Sequence, residues 1–170
     1  MYVLACCKGK APAEVIAILE EEWARKSWDK DYESPMMLVD VQNGWHALEC
    51  YPDDFFTSRK ELLKRLSKDT EVVVCSVAES SNFSSACGYV DSVELWNLEH
   101  DFHAGREHLQ TTGELPECFD RLAIEMAEKA KTVQHDCYFS FPSDICKELS
   151  SYVSNGDPRK TVYLPIPFLS

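Results

Sequence analysis

The chain has 170 residues, with 17 Lys and Arg against 29 Asp and Glu, and a formal net charge of −12. Its 45% hydrophobic content can fill the core of one domain, which excludes global disorder. No apolar run approaches the roughly 18 residues of a membrane-crossing helix, and the negative surplus repels phosphate backbones, so neither a membrane nor a nucleic acid is an expected partner.

The first ten residues, MYVLACCKGK, lack the long apolar stretch of a secretory signal, which predicts a cytoplasmic protein. Residues 2–6 alternate loosely and read as a strand. A helix is predicted over 12–26, with Pro12 in its first turn and Val15, Ile16, Leu19 and Trp23 as its apolar stripe. Glu20, Glu21 and Glu22 fall mainly on the solvated side. After a loop at 27–35, residues 37–41 and 45–50 form a hairpin across Gln42, Asn43 and Gly44. Thr57 or Ser58 then caps a helix that buries Leu62, Leu63 and Leu66 and ends near Ser67.

The middle of the chain, EVVVCSVAE, SSACGYV, ELWNLEHDF and EHLQTTG, reads as an antiparallel meander. In its first strand Val72, Val74 and Ser76 alternate with Val73, Cys75 and Val77. Ser80, Ser81, Ser84 and Ser85 are expected in the polar loop and edge of a hairpin. Residues 117–131 return to helical spacing through Phe119, Leu122, Met126 and Ala130. A short strand is predicted over 137–141, a last helix from Ser143 to about residue 153, and a final strand, TVYL, before prolines that bar a central place in a sheet. The expected fold is a single α+β domain, a mainly antiparallel sheet with about four helices packed on it.

Charge is unevenly spread. Residues 91–128 hold ten acidic side chains against Arg106 and Arg121, whereas 59–68 holds five basic side chains against Glu61 alone. The eight cysteines contain no CxxC pair and read as reduced, mostly buried thiols of a reducing compartment.

His100, His103 and His108, with Glu99 and Asp101 among them, form the one His and carboxylate cluster. HxxH and HxxxxH spacing could serve a metal, but strand and turn geometry would point the rings apart. There is no nucleophile elbow, no local cysteine signature and no phosphate loop, so no catalytic residue and no cofactor are assigned. Trp96 reads as buried. Trp28, Tyr32, Phe55 and Phe56 lie in polar or acidic loops, where an aromatic either pins the loop to the core or anchors a partner.

Within residues 72–101 a strand, a serine-containing hairpin, GYxDxxxLW and a terminal HD follow in order. This stretch of about 30 residues resembles one in small bacterial proteins, some of which look like cognate immunity proteins of secreted polymorphic toxins. The resemblance implies a protein that binds and inhibits a toxin domain with a basic active-site region, and it carries over no catalytic residue. The acidic candidates for that contact are Glu20, Glu21, Glu22, Asp91, Glu94, Glu99 and Asp101, with Trp28 as an aromatic anchor. Two other readings stay open: a small metal-dependent hydrolase using His100, Asp101, His103 and His108, and an adaptor that binds without inhibiting.

Overall fold

The computed structural model describes residues 2–25, 36–50, 56–133, 136–152 and 161–164. Eight strands form one sheet: β1 (Tyr2–Lys8), β2 (Met36–Asp40), β3 (Trp45–Cys50), β4 (Glu71–Ala78), β5 (Phe83–Val90), β6 (Val93–Asp101), β7 (Gln110–Gly113) and β8 (Thr161–Leu164). Their order is β7-β6-β5-β4-β1-β3-β2-β8, and every neighbouring pair is antiparallel. The helices are α1 (Pro12–Arg25), α2 (Lys60–Leu66), α3 (Phe119–Ala130) and α4 (Phe141–Ser150). This is the α+β domain expected from the sequence, with the predicted 37–50 hairpin as β2 and β3, and the meander as β4 to β7. Among the described residues no helix is long and apolar enough to cross a membrane.

Both faces of the sheet are covered, because its central strands are apolar on both sides. Every residue of β4 after Glu71 is buried. On one face Val3, Ala5, Leu48, Val72 and Val74 pack against Val15 and Leu19 of α1 and Leu62, Leu63 and Leu66 of α2. On the other, Leu4, Cys6, Val73, Cys75, Val77, Trp96 and Leu98 pack against Met126 of α3 and Phe141, Ile145 and Cys146 of α4. Phe119, Leu122 and Ala130 line this second core half-buried, as the helical spacing of α3 requires. Phe56, one of the loop aromatics, is fully buried in the first core and so pins its loop. Trp28, Tyr32, Phe55 and the side chain of Trp23 lie outside the described residues.

Several local expectations are corrected. The strand predicted at 137–141 is a 3-10 turn, Tyr138–Ser140, that runs into α4. The Asp136 carboxylate accepts the Tyr138 and Phe139 amides, which starts a helix, and the i, i+3 pair Tyr138 and Phe141 buries both rings on one side. α4 therefore begins at Phe141 with Pro142 in its first turn, not at Ser143, and Ser151 ends it with a left-handed φ of 58°. α2 starts after Arg59 without a side-chain cap, so neither Thr57 nor Ser58 plays that role. Ser84 and Ser85 stand in β5, in keeping with SSACGYV as a strand, and Ser80 and Ser81 lie in the 3-10 turn before it. Glu22 is buried rather than solvated, because Arg65 of α2 reaches its carboxylate at 3.5 Å and that of Glu21 beside it.

All eight cysteines are free thiols; seven are buried and Cys118 is half-exposed. Burial pushes the Cys6 and Cys87 thiols up to about 12, far from the thiolate that reacts. Titration of native protein with a thiol reagent at pH 8 is thus expected to modify one group rapidly. Denaturant without reductant should expose all eight, and a lower count after denaturation would reveal disulfides.

Candidate binding site

α1 and α2 do not extend across the whole sheet. Among the described residues their core reaches outward only to Cys87 and Tyr89 of β5, which leaves the same face of β6 and β7 open. The alternation of β6 records this one-sided covering: Trp96, Leu98 and His100 are buried beneath α3 and α4, while Asn97, Glu99 and Asp101 on the open side are half-buried.

Strand pairing runs continuous rows from the covered part of this face to its open part. Ser76 of β4 is opposite Ser85 of β5, Ser85 opposite Glu99 of β6, and Glu99 opposite Gln110 of β7. Directly paired residues share a face, so four positions far apart in sequence become one row. The next row runs Val74, Cys87, Asn97, Thr112. A bulge at Gly88 and Tyr89 shifts the register and sets Glu94 opposite Tyr89, on this same face.

Beside α2 these rows floor a cavity of about 420 Å³. Its polar lining includes Thr57, Lys60, Ser76, Ser85, Tyr89, Glu94, Asn97 and Glu99, and its apolar lining includes Leu63, Val74 and Phe83. The volume lies within the range of about 300–1,000 Å³ usual for small-ligand sites, and all of these polar groups but Thr57 and Lys60 stand on strands that hold them in place.

The two carboxylates of the cavity differ. Glu94 Oε2 accepts the Tyr89 phenol at 2.7 Å and the Lys60 ammonium at 3.1 Å. Partial burial pushes the Glu94 carboxyl up, but these two donors outweigh it and hold the group below its ordinary value. Burial, and then the bond to Glu94, pushes the Tyr89 phenol up, so it remains a donor throughout the neutral range. Glu99 instead accepts only Asn97 Nδ2, at 2.9 Å, and has no cationic partner among the described residues. Ser85 is 9% exposed, lines the cavity, and has no hydrogen-bond partner among the described residues.

Of the acidic positions read from the sequence, the structure brings Glu94 and Glu99 into this cavity and places Asp101 further along the same side of β6. Glu21 and Glu22 are held on α1 by Arg65, and Glu20 is exposed next to them. Asp91 forms a tight β5–β6 turn with Ser92, both at positive φ, and its carboxylate accepts the Asp69 amide. The basic ridge at 59–68 is largely neutralised from within, since Lys60, Lys64 and Arg65 all carry carboxylate partners.

The histidines are not gathered. His100 is fully buried on the covered face, with Nδ1 2.8 Å from the His108 carbonyl and Nε2 2.9 Å from Asp136 Oδ2. Asp101 is on the opposite side of the strand, and His103 sits in the following turn, where its amide donates to Asp101 Oδ1. His108 Nδ1 accepts the Asp101 amide. Both nitrogens of His100 are thus occupied by protein acceptors, and among the described residues no three His, Cys, Asp or Glu side chains could hold a metal ion.

Ser76, Ser85, Tyr89, Asn97 and Lys60 were not singled out by sequence reasoning. A signal existed in the polar residues at period two inside otherwise apolar strands, Ser76 in EVVVCSVA and Asn97 and Glu99 in ELWNLEHD. No protein-family model, curated protein or solved structure matches this chain.

Proposed function

We propose that the chain is an immunity protein: a non-catalytic, cytoplasmic protein that binds a cognate bacterial toxin domain through the open side of β6 and β7, with the cavity beside it, and blocks its basic active-site region. The observation that carries this reading is the Glu99 carboxylate, fixed on β6 on the side that α1 and α2 do not reach and without a cationic partner among the described residues. An ionised group in a partly dry cavity is costly unless paired, so a basic partner surface gains more here than at a carboxylate already neutralised.

Two further observations support it. The segment that resembles immunity proteins, residues 72–101, coincides with β4, β5 and β6, the strands that floor the cavity. The eight free thiols agree with a reducing compartment. The exposed strand β7 widens the face at its edge, and an inhibitory interface of standard size needs only about 800 Å² per partner.

The test is direct titration of the purified chain against the toxin domain encoded by the adjoining reading frame. Nanomolar affinity with loss of toxin activity is expected, with association slowing as salt rises, because charge steering is screened over about 10 Å at 0.1 M. Absence of binding at micromolar concentrations would refute the reading.

A further inference from the structure

The cavity beside α2 has an imbalance of charge that specifies what it takes. The Lys60 ammonium and the Tyr89 phenol both donate to Glu94, and Lys60 balances its charge. Glu99 keeps open acceptor positions. A carboxylate offers about four lone-pair positions and the Asn97 amide fills one of those on Glu99. Because Asn97 donates through Nδ2, its carbonyl oxygen remains an acceptor. Ser85, a residue 9% exposed that lines the cavity and has no hydrogen-bond partner among the described residues, adds a hydroxyl that can accept as well as donate. These acceptors, and a negative charge with no cationic partner among the described residues, favour a positively charged ligand that carries N–H donors, and they repel an anion.

The apolar lining adds a second requirement. Leu63, Val74 and Phe83 offer nothing to a small hydrated ion but can cover an aliphatic stem. We infer that this cavity binds a guanidinium or primary ammonium group carried on an aliphatic stem, with Glu99 as its counter-ion and Asn97 and Ser85 completing its hydrogen bonds. Such a group reaches the site either as the arginine or lysine side chain of a protein partner or as a free amine. The inference deepens the docking proposal, and rests on it only for the first of these sources.

Butylguanidinium and butylurea provide the test, since they share shape and stem but only the first is charged. Each is titrated into the full chain while the backbone amide resonances of Ser85, Asn97 and Glu99 are followed. Butylguanidinium is expected to bind saturably, with a dissociation constant of about 1 mM, and butylurea at least about tenfold more weakly. Glu99→Gln, which keeps the size of the side chain, should weaken butylguanidinium by about tenfold and leave butylurea unchanged. Ser85→Ala, which removes the hydroxyl and adds no bulk, should weaken it too while the remaining resonances confirm an intact fold. Equal binding of the two probes, no binding of either, or an unaltered affinity in Glu99→Gln would overturn the inference.

Competition with the toxin domain separates the sources. If butylguanidinium raises the apparent dissociation constant of the complex, a basic side chain of the partner occupies the cavity. If the probe binds in the cavity but leaves toxin binding untouched, a free amine is the ligand and the cavity is not part of the toxin contact. If the toxin binds and the probe does not, docking stands and the cation site falls.

Discussion

Replacing Gly88 by alanine is expected to destabilise the protein by about 3 kcal/mol, the upper part of the usual range for overpacking. A methyl group there would lie 2.1 Å from Trp96 Nε1 and 2.4 Å from Cε2, since Gly88 is paired with Trp96 across β5 and β6 and the indole covers the bare α-carbon. Trp96 is 6% exposed and wedged into the second core, so the ring cannot yield without disturbing Leu98 and the helices above. The same position marks the bulge that brings Glu94 onto the open face, which ties the packing of one side of the sheet to the geometry of the site on the other. Urea unfolding measures the loss. Pairing Gly88→Ala with Trp96→Leu should recover part of it, because the smaller side chain removes the clash. An unchanged midpoint in the single variant would show that the indole does not lie over Gly88.

His100→Leu should cost about 2–5 kcal/mol. The imidazole joins β6 to the 101–109 connection through the His108 carbonyl and to the start of α4 through Asp136. Leucine fills much of the space but abandons both acceptors. Each buried polar group left without a partner costs about 1–3 kcal/mol, and the stranded carboxylate belongs at the upper end of that range. Asp136 also holds the Tyr138 and Phe139 amides, so the loss should spread to the 3-10 turn and appear in its amide exchange. His100→Gln, able to replace one hydrogen bond, should fall between wild type and leucine. A His100→Leu protein as stable as wild type would mean that this buried link does not hold β6 to α4. These effects also explain why the His and Asp pattern at 100–108 looks like chemistry in the sequence while it acts in the structure as internal bracing.

What the sequence discloses follows from how local each feature is. The period-two pattern of WNLEHD settles both the strand and its one-sided burial, because neighbouring side chains alternate whatever the rest of the fold does. The 37–50 hairpin is equally local, with Asn43 and Gly44 supplying the positive φ that its turn requires. In YFSF the aromatic spacing suits either period, and the decision rests on the Asp136 carboxylate two and three residues upstream of the amides it accepts. Charge is visible in sequence but its compensation is not: Arg65 meets Glu21 across 44 positions and Lys60 meets Glu94 across 34. Glu21, Glu22 and Glu94, which look available to a partner, are therefore already engaged, whereas Glu99 has no cationic partner among the described residues. The cavity itself depends on pairing Ser76, Ser85 and Glu99 across three strands, and no single stretch of sequence contains that information.

The claim that the open face of β6 and β7 is the docking surface is tested most directly by comparing two charge reversals in binding to the toxin domain encoded next to this chain. Glu99→Lys places a cation where the account requires a carboxylate; Glu20→Lys makes the same change on the exposed surface of α1. Circular dichroism and unfolding midpoints first establish that both variants retain the fold. The account predicts that Glu99→Lys weakens the complex by about a hundredfold or more, mainly through faster dissociation, while Glu20→Lys changes the association rate by no more than severalfold. Wild-type affinity in Glu99→Lys would contradict it, and a large loss in Glu20→Lys alone would move the interface to the acidic helix.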